Sequence, residues 1–439
     1  MIELGLSRIS QLVKYTPLTW KAVHIAGTNG KGSVASYLSG LLQRGGIRTG
    51  RFTSPHLIDR WDCIVIDGKS VSKDLFNHVE GELHARNEEG KIGASEFELL
   101  TATAFDIFNQ ARIDVGVVEV GLGGRLDATN VLTSDDVMLS IITKIGLDHQ
   151  ALLGNSLSEI ATEKGGIIKK GVPCLADGTN APEVLAALEA CAVKAAGANV
   201  QTPIRLSPRS LSSKNESALE GVLSKLDLEP HQSVNIRLAV DALNIVQERY
   251  PVKRPLASLF QDIPKIKWPG RLQNINLDGW IERREEILLD GAHNIQSAEV
   301  LGRHVQRKMR QPGVHVTWVV AMSKGKPVHE LLRCWVQPGD FVIATHFGTV
   351  DGMPWVESAP AEDISAAALG LDCRSAAAEN VEEALMRATE VARSGPLVVA
   401  GSLYLVSDVL RGFRDWSDED PTQRRRYEGV GHVDLSTFT

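Results

Sequence analysis

"HIAGTNGKGSVASYL", residues 24–38, is the stretch on which the fold turns. The residues leading into the glycines, Val23-His24-Ile25-Ala26, are few, partly β-branched and closed by Gly27, the pattern of a buried parallel strand. Behind the glycines, Val34, Tyr37, Leu38, Leu41 and Leu42 recur at helical spacing until Gly45-Gly46 stops the pattern. Lys31 therefore opens a helix. The first N–H groups of a helix have no internal partner and the macrodipole is positive there, so an anion gains hydrogen bonds and a favourable field together. Gly27, Gly30 and Gly32 let the backbone curl around phosphate oxygens, and Lys31 reaches the outer ones. The loop departs from the common P-loop pattern in that Gly32 separates Lys31 from Ser33. A plain glycine corner is the competing reading of this stretch taken alone.

Working outward, "AVHIA", "VGVVEVGLGG", "MLSIITKIGLDH" and "VPCLADG" read as strands separated by longer helical patterns. This alternation predicts an α/β domain, a parallel sheet flanked by helices, with ligands bound beyond the carboxyl ends of the strands, where Glu119, Asp148 and His149 fall. Residues 205–234 are serine-rich and read as a surface excursion or irregular hairpin, and "SVNIRLAVDALNIV" resumes a helix. Pro264, Pro269 and Gly270 break the pattern and suggest a hinge. Beyond it "EILLDGAHN", "VHVTWVVAMS", "GDFVIATHFG" and "PLVVAGSLYLV" read as strands of a smaller α/β, Rossmann-like unit. The expected domains are 1–270 and 271–415. A disordered tail is expected over 416–439, which carries too little apolar material to offset its ordering entropy.

The chain has 439 residues, enough for two cores, with 43% hydrophobic and 23% charged residues, ordinary for a globular protein. A net charge of −7 disfavours nucleic acid as a partner. Five scattered cysteines without a C-x-x-C pair disfavour a disulfide framework or a zinc site and fit a reducing cytoplasm. No stretch is long and apolar enough to cross a bilayer, and "MIELGLSRIS" has no signal-peptide core. The expectation is a cytoplasmic monomer, with a mitochondrial location as the alternative.

Several segments together resemble the Mur ligase superfamily and, within it, the folate branch of dihydrofolate synthases and folylpolyglutamate synthases. These are "GTNGKGS" (27–33), "FTSPHL" (52–57), "SEFELLTATAF" (95–105), "EVGLGGRLDATN" (119–130), "LDH" (147–149), "EKGGIIKKG" (163–171), "WPGRL" (268–272), "DGAHN" (290–294) and "GSLYLVSDVL" (401–410). They recur in the family's order over almost the whole chain, and "DGMPW" (351–355) is similar to fungal members. The resemblance implies an N-terminal P-loop ATPase domain and a smaller C-terminal domain that close over the substrates. It also implies that the glycine-interrupted loop is a phosphate cradle.

The implied reaction joins L-glutamate to 7,8-dihydropteroate with ATP, through an acyl phosphate. Addition of glutamate to a reduced folate is the alternative, alone or in one bifunctional enzyme. A nucleotide-binding module without chemistry is the reading from another class, and retention of Glu119, His149, Lys164, Arg271 and Asp290 together argues against it. By resemblance, Gly27, Thr28, Asn29, Gly30, Lys31, Gly32, Ser33, Asn235, Arg271 and Asp290 bind ATP, and His293 lies close to the phosphates. Ser54 and Glu119 hold a nucleotide-associated Mg2+, while His149 and Lys164, the latter as a carbamate, serve a second ion; a monovalent cation belongs to the same expectation. Lys31, Lys164 and His293 are the implied catalytic residues. Asp127, Phe97 and Ser95 are matched to the pterin ring, with core packing as the plain alternative for Phe97 and an ordinary exposed lysine for Lys164. Gly165 departs from the alanine usual in relatives.

Overall fold

The computed structural model describes residues 4–196, 204–208 and 211–419. It divides into two compact units, Met1–His56 with Trp61–Trp268, and Leu57–Arg60 with Pro269–Thr439. The four residues 57–60 thus belong with the second unit although they lie inside the sequence of the first.

In the first unit, the described residues form an eight-stranded sheet from β1 (Lys21–Ala26), β2 (Thr49–Phe52), β3 (Ile64–Ile66), β4 (Lys69–Ser70), β5 (Val115–Glu119), β6 (Val137–Ile142), β7 (Cys174–Asp177) and β8 (Ile204–Ser207), ordered β4-β3-β2-β5-β1-β6-β7-β8. β2, β5, β1, β6, β7 and β8 run parallel, and β3 and β4 continue the sheet antiparallel. Ile25 of β1 stands opposite Glu119 of β5, and Ala26 opposite Ile142 of β6. Three loops, 27–33, 120–130 and 143–149, therefore leave the sheet from one edge. That edge is where open parallel sheets bind ligands.

Helices cover both faces because β1 is buried on both. Val23 and Ile25 pack with Val34, Leu38 and Leu41 of the helix Lys31–Arg44, and with Ile236, Val240 and Leu243 of the helix Pro230–Val246. On the other face Ala22 packs with Phe105 and Phe108 of the helix Glu96–Gln110, and Ala26 with Ile160 of the helix Leu157–Gly165.

Two expectations need correction here. Residues 205–234 are not a surface excursion: beyond β8 a helix, Ser213–Leu223, buries Leu219, Val222 and Leu223 in the first unit's core. Its serines sit at the cap and on exposed turns, and they masked the apolar face. Nor does a tail begin at 416, for the helix Leu403–Asp418 packs Trp416 against Phe413. Residues 420–439 lie outside the described residues.

In the second unit the described residues form a six-stranded sheet from β9 (Gln273–Ile275), β10 (Ile287–Leu289), β11 (Thr317–Val320), β12 (Phe341–Ala344), β13 (Arg374–Ala377) and β14 (Leu397–Ala400), ordered β13-β12-β11-β14-β10-β9, parallel except for β9. The segment "PLVVAGSLYLV" is a strand only as far as Ala400. Ser402 then caps the next helix by accepting from the Tyr404 N–H.

If the helix Ser213–Leu223 is core, Leu219→Ala removes a buried side chain and costs about 2–5 kcal/mol, read as a lower urea midpoint at constant slope. A surface segment would leave the midpoint unchanged.

Candidate functional site

Gly30 stands directly before the helix Lys31–Arg44 with φ of 92°, in the left-handed region that side chains rarely adopt, and no side chain caps the helix. A Cβ on Gly30 would lie 2.5 Å from Asn235 Oδ1, and one on Gly27 1.8 Å from Thr143 Oγ1. The glycines are therefore required by close approach. The loop is stitched to the 143–146 segment: the N–H groups of Thr28 and Asn29 both donate to the Lys144 carbonyl, at 2.9 and 3.1 Å. The Thr28 hydroxyl bonds Gly146, and Thr143 Oγ1 donates to the Asn29 carbonyl. The amides of Thr28 and Asn29 are thus used internally, and the amides of Lys31, Gly32 and Ser33 are the ones that open the helix.

Lys31 Nζ lies 3.8 Å from Glu119 Oε1 and 3.3 Å from the Thr28 carbonyl. Glu119 closes β5, is almost fully buried, and accepts from the Ser54 N–H at 3.4 Å. Ser54 Oγ is buried without a hydrogen-bond partner. An unsatisfied hydroxyl beside a buried carboxylate is a donor set suited to a hard divalent cation, so Ser54 and Glu119 fit the first ion.

His149 and Lys164 sit differently. His149 has φ of 51°, its side chain is half exposed, and its Nε2 is 3.9 Å from Asp148 Oδ2. Among the described residues no group of three or more His, Cys, Asp or Glu side chains is arranged to hold a metal. Lys164, read as exposed in the plain alternative, is instead buried and donates to the Gly27 carbonyl at 2.9 Å. Burial lowers its pKa to about 7, the Lys31 charge adding and Asp148 and Asp127 opposing. The departure at Gly165 also has a cause: a Cβ there would lie 2.8 Å from Cys191 Sγ, so the thiol fills the space of the usual methyl.

The loop after Glu119 is organised by Asp127. Its Oδ2 accepts from Leu122 N–H at 2.8 Å and its Oδ1 from Thr129 N–H at 3.0 Å and from the Thr129 hydroxyl. The Gly121 N–H adds a further donor. Burial raises the Asp127 pKa and these hydrogen bonds oppose the rise. Phe97, stacked on Phe52 with centroids 6.2 Å apart, lies against Gly121, where a Cβ would come within 2.4 Å of its ring. Ser95, expected as a polar neighbour of substrate, accepts from Glu98 N–H and caps its helix in a reciprocal capping box. The loop is also pinned beside Lys164: Arg125 N–H donates to the Glu163 carbonyl at 2.8 Å, and Asn130 Nδ2 donates to the carbonyls of Arg125 and Gly166.

Sequence reading passed over two polar residues near this edge, His24 fully buried and Arg51 partly so. His24 contacts Thr129, and Arg51 stacks on Trp268 at 4.9 Å with its pKa lowered by burial to about 10. The signal was present for His24, a polar residue inside an apolar strand, whereas Arg51 lies in "TGRF", which offers no such contrast.

In the second unit Asp290 is buried and accepts from Leu272 N–H at 2.7 Å and Ala292 N–H at 2.9 Å. Burial raises its pKa, and the Arg271 charge opposes this. His293 Nδ1 lies 2.8 Å from the Gly291 carbonyl. Arg271, Asp290 and His293 thus belong to one pair of crossing turns. All five cysteines are free, and no helix of the described residues is long and apolar enough to cross a membrane.

Comparison with known proteins follows the same lines. A family profile described as dihydrofolate synthetase, C-terminal domain, matches residues 273–412. The chain is 38% identical to a probable dihydrofolate synthetase of Schizosaccharomyces pombe and 38% identical to a dihydrofolate synthetase of Saccharomyces cerevisiae, covering in each case 93% of this chain and 98% of the relative. Its backbone is similar to that of Mycobacterium tuberculosis folylpolyglutamate synthase solved with ADP, with a TM-score of 0.77 and 26% identity, covering 96% of each chain.

Because burial disfavours the ammonium, the Lys164 amine is expected to lose its proton near pH 7. NMR of 13C-methylated lysines checks this as one resonance with a midpoint near 7 that is absent from Lys164→Arg. A midpoint at the ordinary lysine value of about 10.4 would contradict it.

Proposed function

The chain belongs to the dihydrofolate synthetase family, in the folate branch of the Mur ligase superfamily, and from that premise we propose that it joins L-glutamate to 7,8-dihydropteroate. It is an ATP-dependent ligase, served by a divalent cation. The observation that carries the reading is the joint placement of Lys31, Glu119 and the unsatisfied Ser54 hydroxyl where the helix Lys31–Arg44 begins.

The chemistry follows from the leaving group. A carboxylate oxygen does not depart when an amine attacks, so the pteroate carboxylate first attacks the γ-phosphorus of ATP. The bond to the β–γ bridging oxygen breaks, ADP departs and an acyl phosphate forms. The glutamate amine, having lost a proton, then attacks the acyl carbon. The C–O bond breaks, a second proton leaves the nitrogen, and inorganic phosphate departs carrying it as hydrogen phosphate.

The first step brings anions together, so the site must offer positive charge and fixed N–H donors aimed at the transferring group. In this reading the Lys31 ammonium turns from Glu119 toward the outer phosphates, and the amides of Lys31, Gly32 and Ser33 hold the inner ones. Ser54 and Glu119 would hold the divalent cation, which when bound neutralises phosphate charge. Asn235, against Gly30, is assigned to the adenine side by the family resemblance.

The neutral Lys164 amine, which burial favours near neutrality, is a nucleophile for carbon dioxide; the new N–C bond forms as one of the two amine protons leaves, and the carbamate keeps the other. Such a carbamate would add oxygen atoms that a second ion needs beside His149. Phe97 and Asp127 take the pterin end, Phe97 by stacking and Asp127 chiefly by fixing the loop that faces it. The roles of Arg271, Asp290 and His293 toward ATP rest on the resemblance, supported by the turn that Asp290 orders around its neighbours. We include in the proposal a monomer acting in the cytoplasm.

Purified protein with ATP, Mg2+ and glutamate is expected to ligate dihydropteroate and not tetrahydrofolate. Product from tetrahydrofolate alone would reverse the choice, and product from both would mark a bifunctional enzyme. Glu119→Ala is expected to lower kcat/KM at least about 100-fold with its melting temperature retained. Normal turnover by that folded variant would remove the metal assignment. Lys164→Ala is expected to lose activity that short-chain carboxylates partly restore, whereas full activity untreated would contradict the carbamate.

A further inference from the structure

Strand β1 carries one polar side chain in its buried stretch. Successive residues alternate between faces, so Val23 and Ile25 meet the helix Lys31–Arg44, while Ala22, His24 and Ala26 face the opposite side. His24 is fully buried there. Its Nε2 lies 2.8 Å from Thr129 Oγ1, and its Nδ1 has no hydrogen-bond partner.

The direction of the protons follows from the partners. Asp127 receives the N–H groups of Gly121, Leu122 and Thr129, and these three donors favour its ionised, acceptor-only form. The Thr129 hydroxyl proton therefore points at Asp127, and Thr129 Oγ1 accepts the Nε2–H of His24. The chain runs His24 to Thr129 to Asp127, and hydrogen bonds aligned in this way strengthen one another. Asp127 gathers both ends of the loop 121–129. Gly121 in that loop is the bed of Phe97, and Gly124 is laid against the Lys164 and Glu163 carbonyls, 2.8 and 2.9 Å from its would-be Cβ.

We propose that His24 is a positioning residue for the pterin-bearing acid, acting through Thr129 and Asp127 on the loop that faces Phe97. This rests on the assignment of that loop to the pterin end in the function proposed above. The orphaned Nδ1 argues for such a role, since a buried unpaired acceptor is a burden that an apolar residue would remove. Only a donor at the Nε2 position completes the chain.

Steady-state kinetics of His24→Leu, Thr129→Val and the double variant provide the test, with His24→Gln as the conservative variant that keeps an N–H at the Nε2 position. Each single variant is expected to raise the KM for dihydropteroate roughly 5–50-fold while the KM for ATP stays within about twofold. The double variant should be no worse than the more severe single one, because both cut one chain. His24→Gln should return KM to within about threefold of the wild type. An unchanged dihydropteroate KM in folded His24→Leu, equal shifts of both KM values, or an additive double variant would overturn the inference. If His24→Leu does not fold, Thr129→Val against Thr129→Ser decides by the same criteria. A wild-type protein that does not ligate dihydropteroate would instead overturn the underlying assignment, so the two failures are distinguishable.

Discussion

A lysine and a glutamate held at the carboxyl ends of neighbouring parallel strands set the terms for the rest of the molecule. The register that puts Ile25 opposite Glu119 brings the loop after β1 alongside the end of β5, and Lys31 reaches within 3.8 Å of the Glu119 carboxylate. This pair, the carboxylate buried and the lysine partly exposed, is weak evidence for stability. Its sense is chemical. In the proposed reading the lysine and the carboxylate exchange each other for a triphosphate and its counter-ion, and the buried carboxylate is already desolvated before the ligand arrives.

The glycines around this pair serve closeness. Gly27 gives way to Thr143, Gly30 to Asn235 and Gly32 to Trp268, whose ring would lie 2.6 Å from an added Cβ. The loop is rigid on the side that meets residues 143–146 and open on the side where the helix starts. A second strut, the loop 121–130, is tied to β1 by His24 and to the Lys164 turn by Arg125 and Asn130. In the proposed reading, these ties set the nucleotide end and the pterin end in a fixed relation on one sheet.

Much of this was legible in the sequence, and the exceptions have physical causes. The strand, turn and helix of 23–42 follow from apolar periodicity interrupted by glycine, which is a local signal. Strand β2, "TGRF", has no apolar run, because Gly50 makes room for Phe108 and Arg51 is partly buried by stacking on Trp268. The helix Ser213–Leu223 was hidden by serines that face away from its apolar stripe. The assignment of residues 57–60 to the second unit depends on tertiary partners, such as the Arg411 guanidinium donating to the Ile58 carbonyl, which no local pattern encodes. Among site residues, Lys31, Glu119 and Ser54 lie together. Ser95 and the Thr28 and Asn29 amides turn out to be occupied within the fold. Those outcomes depend on hydrogen-bond partners far along the chain, and spacing alone carries no information about them.

In the proposed reading Lys31 and Glu119 form a metal–nucleotide centre. Calorimetric titration of ATP, with and without Mg2+, into the wild type and Glu119→Gln tests it most directly. The account predicts that Mg2+ tightens ATP binding to the wild type at least about tenfold and that this gain is lost in the variant, with metal-free affinity little changed. An equal Mg2+ gain in both proteins would contradict it.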